Sequence, residues 1–155
     1  MFNIGDEIVY PMHGAGIIVD IEEKKILGEL HKYYILQISV SDMKVMLPIN
    51  NLDTIGIRPI VSEDAANEAI NHFHNCCEDT NNNWNQRYRD NIEKIKKGNL
   101  IDVATVAKTL LLRDNKKSLS NAERKMLSNA KNILISELVL AKKVSPEEIK
   151  EMLAL

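Results

Sequence analysis

Arg58-Pro59-Ile60-Val61-Ser62-Glu63-Asp64-Ala65-Ala66 is where the pattern of the chain changes. Ser62 is a helix N-cap residue, and Glu63 and Asp64 in the first turn complement the positive end of the helix dipole. Ala66, Ala69, Ile70, Phe73 and Cys77 then recur on one helical face. Before this stretch the apolar spacing is that of strands, and after it that of helices. The change predicts a domain boundary near residue 60, with one unit over 1–60 and a second over 61–155.

Upstream, Ile4, Ile8 and Tyr10 share one parity, and Pro11 with His13-Gly14-Ala15-Gly16 supplies turn chemistry before the next apolar run. Ile17–Ile21 is a second strand, followed by a charged turn at Glu22-Glu23-Lys24-Lys25 and Gly28. Tyr33–Ile38, Lys44–Pro48 and a short Thr54–Arg58 complete five strands. Strands this short and closely spaced must close or be covered to hide their edges, which predicts a small SH3- or Tudor-like β-barrel. Gly14 and Gly16 lack the third glycine and the following helix of a phosphate loop, so they are expected in a hairpin turn. Tyr33 and Tyr34 face opposite ways on a strand, so at most one could join Tyr10 in a cage for a methylated lysine; core packing is the simpler reading.

Downstream, the spacing predicts a compact domain of five helices, making the whole chain α+β. The second helix starts at Trp84, behind the asparagines Asn81–Asn83, and ends at Lys96-Lys97-Gly98. Asn99 caps the next, whose inner face is Val103, Val106, Ala107, Leu110 and Leu111. Ser120-Asn121-Ala122-Glu123 is a capping box that opens a long helix with Met126, Leu127, Ala130, Ile133, Leu134, Leu138 and Ala141 inward; Arg124, Lys125 and Lys131 lie off that face. Ser145-Pro146-Glu147-Glu148 starts a short last helix with Ile149, Met152 and Leu153.

Trp84 is the one tryptophan in a chain that is 5% aromatic, and Arg87 and Arg89 lie within five residues of it. Two readings follow. An exposed Trp at a helix start, flanked by arginines, suits an apolar probe between phosphate clamps. Equally, Trp84, Tyr88, Asn91 or Ile92, and Ile95 fall on one stripe at helical spacing and could all be core.

Composition narrows the classes. The chain has 155 residues, 45% hydrophobic and 27% charged, as in ordinary globular proteins. No apolar run approaches the roughly 20 residues that span a bilayer, and Met-Phe-Asn-Ile-Gly-Asp lacks the regions of a signal peptide, so a cytoplasmic protein without a membrane partner is expected. Adjacent Cys76 and Cys77 exclude a disulfide scaffold. His72, His74, Cys76 and Cys77 supply two or three metal ligands at helical spacing where structural zinc needs four, so no metal is expected. No nucleophile–base pair or carboxylate constellation emerges, so neither an enzyme, a cofactor nor a small-molecule substrate is expected. Formal net charge is -2, yet residues 80–143 hold 14 basic and 6 acidic side chains, a local +8. Such a segment is an electrostatic footprint for phosphate.

Four motifs then fall in register. Gly5-Asp6-x-Ile8-Val9-Tyr10-Pro11-x-His13-Gly14, Val45-x-Leu47-Pro48, Asn83-Trp84-x-x-Arg87-Tyr88-x-x-Asn91, and Leu119-Ser120-x-x-Glu123-x-Lys125-Met126-Leu127 followed by Ile133-Leu134-x-x-Glu137-Leu138 resemble the CarD-like bacterial transcription regulators over nearly the whole chain. The barrel also resembles the polymerase-interacting module of transcription-repair coupling factor, without that enzyme's motor motifs. The resemblance implies a non-enzymatic factor, nucleoid-associated with RNA polymerase. Its barrel would bind the polymerase β subunit through Lys24, Lys44, Val45, Met46 and Leu47. Its helical domain would lie on promoter DNA, with Trp84 wedged into the minor groove at the upstream edge of the melted bubble and Arg87, Arg89, Arg124, Lys125 and Lys131 on the backbone, with little sequence choice. Lys24 and Met46 stand where the family tends to carry arginines, and Gln86 and Asn129 where it can carry basic residues. The alternative from another class is a protein-interaction adaptor whose basic face binds an acidic partner and makes no direct DNA contact.

Overall fold

A computed structural model describes residues 2–155; Met1 lies outside it. The architecture is the expected α+β one. Five antiparallel strands come first, β1 (Glu7–Tyr10), β2 (Gly14–Ile26), β3 (Glu29–Ile38), β4 (Lys44–Pro48) and β5 (Arg58–Pro59), in the order β4-β3-β2-β1-β5. Ile8, Ile18, Tyr34, Leu36, Ile38 and Leu47 point inward and form the sheet's core. A register shift between Ile18 and Asp20 bends β2 so that the sheet can curl over that core. Gly16 lies within β2, paired with Ile8 and Ile38, and not in the expected hairpin turn; it is required there, since a Cβ would lie 2.1 Å from the Gln37 carbonyl oxygen across the ladder.

Two strand expectations need correction. The charged segment Glu22–Lys25 is not a turn: β2 runs through it to Ile26, and the chain reverses at Leu27-Gly28, with φ of 51° and 82°. Positive φ at both central residues suits the twist of a two-residue hairpin. Every residue from Val19 to Leu30 is exposed, so this outer hairpin has no buried face to impose an apolar alternation. Thr54–Arg58 is not a strand either. A 3₁₀ turn at Ile49–Asn51 leads into α1 (Leu52–Ile55), closed by the Gly56 N–H donating to the Leu52 carbonyl at 3.1 Å, which leaves only Arg58–Pro59 to pair with β1. Tyr34 belongs to the core: its hydroxyl accepts from the Phe2 N–H at 3.1 Å, and its ring meets Phe2 edge-on.

Five further helices follow: α2 (Glu63–Asn75), α3 (Trp84–Lys97), α4 (Leu100–Lys116), α5 (Asn121–Lys142) and α6 (Pro146–Leu153). Ser62, Asn83, Asn99, Ser120 and Ser145 each accept a backbone N–H of the first turn, so every one of these starts is written in its cap residue. The apolar faces of α2, α4 and α5 carry the main core, with Phe73, Val106, Leu110, Leu134 and Leu138 fully buried. Cys77 falls beyond the end of α2 and is exposed, so the α2 face stops at Phe73.

The sheet is fastened to α5 at two neighbouring polar residues set in an apolar run. The Ser136 hydroxyl accepts from the Ala15 N–H at 2.8 Å and donates to the Ile133 carbonyl, while the Ser136 carbonyl accepts from the Ser39 hydroxyl at 2.8 Å. Glu137 is 1% exposed. It takes both terminal nitrogens of Arg58 at 2.7 Å and the Val61 N–H at 2.9 Å, and Arg58 also donates to the Gly98 carbonyl. Met12 and Val40 of the sheet unit pack onto the helical core. The buried Glu137 carboxylate thus has its charge matched and three hydrogen bonds filled, as burial of a charge demands.

Candidate functional site

Trp84 is the first residue of α3, held there by the Asn83 cap. Its ring stacks on Tyr88, one turn along, with centroids 5.0 Å apart and planes 12° from parallel. Its indole N–H donates to the Ser120 hydroxyl at 3.1 Å. The side chain nonetheless remains 39% exposed. Tyr88 and Ile92 are half-buried and Asn91 and Ile95 buried, so the stripe sinks into the domain while its N-terminal member stays at the surface.

Arg87 departs from expectation. Three residues beyond the Trp, its side chain turns inward and is 5% exposed. Its guanidinium donates to both carboxylate oxygens of Glu123, at 2.9 and 3.0 Å, and to the Asn81 carbonyl at 3.0 Å. The Glu123 carboxylate raises the pKa of Arg87 above its ordinary value, outweighing the opposite effect of burial. A guanidinium so committed has no face left for a phosphate. Glu123 also differs from its expected role, because its carboxylate does not return to the Ser120 N–H as a capping box would; only the Ser120 half of the box forms.

The remaining expected cations lie as follows. Arg89 is exposed and reaches only its own helix, at the Asn85 carbonyl. Arg124 is exposed and donates to the Ser118 hydroxyl, in the loop leading to Ser120. Lys125 is exposed at the mouth of a cleft of about 530 Å³ between α3 and α5, lined also by Tyr88, Ile92, Met126 and Met12. Lys131 is half-buried. Trp84, Arg124 and Lys125 thus belong to one neighbourhood at the starts of α3 and α5. Exposed Lys117 adjoins it, in a cavity of about 260 Å³ lined also by Asn82, Arg113, Glu78 and Asp79. From the sequence alone Ser120 and Glu123 read only as cap residues.

On the sheet, β4 is an edge strand. Its pleat divides the five expected contact residues. Leu47 is fully buried in the barrel core, and Val45, half-buried, packs against it. Met46 and Lys44 face the other way and are exposed. Register pairs Met46 with Ile35, and Lys24 with His31, four residues along β3 from Ile35. Lys24 therefore shares the outward face with Met46, at a distance of roughly 13 Å along the strand.

The α2 histidines are committed elsewhere. His72 Nε2 hydrogen-bonds the Thr105 hydroxyl at 2.7 Å, and His74 Nε2 donates to the Met152 carbonyl at 2.6 Å. Burial, with Cys77 beside it, pushes the Cys76 thiol up, which disfavours the thiolate that binds metals. Among the described residues no group of three or more His, Cys, Asp or Glu side chains is arranged to hold a metal ion. No helix among them is long and apolar enough to cross a membrane.

Comparison with known proteins assigns both halves. Residues 2–61 match the model of the CarD-like/TRCF RID domain, and residues 68–154 that of the CarD C-terminal domain. The chain is also 43% identical over 150 residues, covering 97% of it and 98% of the relative, to YdeB of Bacillus subtilis (strain 168), named provisionally as a transcription factor.

Proposed function

The chain belongs to the CarD-like transcription factors, with a polymerase-interacting type of domain at its N-terminus, and on that footing we propose that it stabilises the promoter open complex. The barrel docks on the RNA polymerase β subunit, the helical domain lies on the DNA just upstream of the bubble, and Trp84 enters the minor groove there. No chemical step is catalysed. The observation that carries this reading is the half-exposed indole at a helix start, backed by Tyr88 and bordered by Arg124 and Lys125.

An apolar ring inserted at a base step unstacks it, which costs least where the duplex is already parting. Trp84 therefore binds the open form better than the closed one and shifts the population by that difference. Arg124, Lys125 and Lys117 add phosphate attraction that is independent of sequence, and Arg87 adds none. Tethering to polymerase raises the local concentration of the helical domain at the promoter, so modest DNA affinity suffices. For the tether, the edge of β4 offers unpaired backbone groups to a partner strand, with Met46 and Lys44 outward.

Two binding experiments on the full chain separate this reading from an adaptor that never touches DNA. Affinity for a fork-junction duplex should fall steeply as salt is raised. Met46→Glu combined with Lys44→Glu should abolish capture of polymerase and leave fork-junction binding intact. Absence of salt-sensitive DNA binding alongside normal polymerase capture sinks the DNA half of the proposal.

A further inference from the structure

The starts of α3 and α5 are joined by a set of contacts that converge on the indole. Ser120 Oγ accepts from the Trp84 Nε1–H at 3.1 Å and from the Glu123 N–H at 3.2 Å, so one hydroxyl both caps α5 and holds the ring. Three residues into each helix, Arg87 and Glu123 form a buried two-pronged ion pair. That pair lashes the first turn of α3 to the first turn of α5. Arg87 also holds the Asn81 carbonyl, fixing the chain that enters the Asn83 cap. On the other side of the ring, Tyr88 supplies a parallel stacking surface.

We propose that Ser120, with Glu123 and Arg87 behind it, positions Trp84: the clamp selects one orientation of an otherwise exposed indole and holds it before DNA arrives. This rests on the wedge reading of Trp84 and adds what that reading lacks, a reason why the ring is already oriented. An exposed side chain with two free torsions loses rotamer freedom on insertion, and a ring fixed beforehand has already lost it. The arrangement also accounts for an arginine in the first turn of α3, where a cation opposes the helix dipole, because its charge is matched by the buried Glu123 carboxylate. Their ion pair fixes the angle between the two helix starts, hence the distance from Ser120 to the indole nitrogen. Ser120, Glu123 and Arg87 are positioning residues, since none of them needs to touch DNA.

Because Trp84 is the sole tryptophan, its fluorescence reports on the clamp directly. Ser120→Gly keeps a serviceable N-cap while removing the indole's acceptor, and Ser120→Thr keeps both. A neutral hydrogen bond is worth roughly a fivefold bias between docked and undocked ring. For full-length Ser120→Gly, acrylamide quenching should rise and fluorescence anisotropy fall with the helix content unchanged, and the open-complex lifetime should shorten by up to about fivefold. Ser120→Thr should restore all three. Quenching and anisotropy unchanged in Ser120→Gly overturn the clamp, whatever Trp84→Ala does. A mobile ring with a normal lifetime, while Trp84→Ala shortens it, overturns the positioning role alone. A normal lifetime in Trp84→Ala overturns the wedge reading itself, and with it the reason for a clamp.

Discussion

Replacing Glu137 by alanine should cost more than any other single change at the junction of sheet and helices. The carboxylate is 1% exposed and accepts from Arg58 twice and from Val61 once. Removing one partner of a buried ion pair typically costs about 3–5 kcal/mol, because the other charge is stranded. Arg58 is partly relieved: its side chain is 27% exposed and keeps the Gly98 carbonyl as an acceptor. The Val61 N–H, by contrast, loses its acceptor outright, at about 1–3 kcal/mol. A loss of about 4 kcal/mol is expected, a large share of the roughly 5–15 kcal/mol that holds most domains folded. Urea denaturation followed by far-UV circular dichroism and by Trp84 fluorescence measures it. The double replacement Arg58→Met with Glu137→Leu should recover the part of the loss that comes from the stranded arginine, since a packed apolar pair can match a buried ionic one, but not the part that comes from the Val61 N–H. A cost for Glu137→Ala below about 1 kcal/mol, the range of surface pairs, would refute the argument.

Other outcomes follow from close contacts and charge. Gly16→Ala drives a methyl to 2.1 Å from the Gln37 carbonyl and should destabilise the barrel by about 3 kcal/mol or more, whereas Gly28→Ala, with open space around it and φ of +82°, should cost only about 1–2 kcal/mol in thermal melts. Charge reversal of Arg124 and Lys125 should weaken binding to all duplex sequences about equally and flatten the salt dependence. Arg87→Glu should instead unfold or loosen the helical domain, visible by circular dichroism, because it sets two carboxylates together in a buried site.

Much of this architecture was legible along the chain. Helix starts were read from Ser62, Asn83, Asn99, Ser120 and Ser145, because an N-cap acts locally and needs no tertiary information. The β2–β3 hairpin was misread because its outer part has solvent on both faces, so nothing forces the alternation that marks a half-buried strand. Thr54–Arg58 misled for the opposite reason: Ile55 and Ile57 alternate like a strand, but the Leu52–Gly56 turn claims the backbone first. Charge counting identified a basic segment but could not tell a free arginine from a matched one. Arg87 and Glu123 are 36 residues apart, and only the packing of α3 on α5 brings them together. Glu137 carried a clue of its own, an acid inside Ile133–Leu138, which signals a buried partner without naming Arg58. On β4 the alternation of side chains would have sorted Leu47 and Val45 from Met46 and Lys44, had the strand's inner face been fixed first.

The lifetime of the open promoter complex, measured after adding a competitor with full-length wild-type protein or Trp84→Ala, tests the central claim most directly. With 39% of the residue exposed, the substitution should cost well below the roughly 3–5 kcal/mol of a buried aromatic truncation and leave the helical domain folded and polymerase bound. Trp84→Ala should give a shorter lifetime than wild type. An equal lifetime from a folded, polymerase-bound variant contradicts it, and unfolding of the helical domain would return Trp84 to the core.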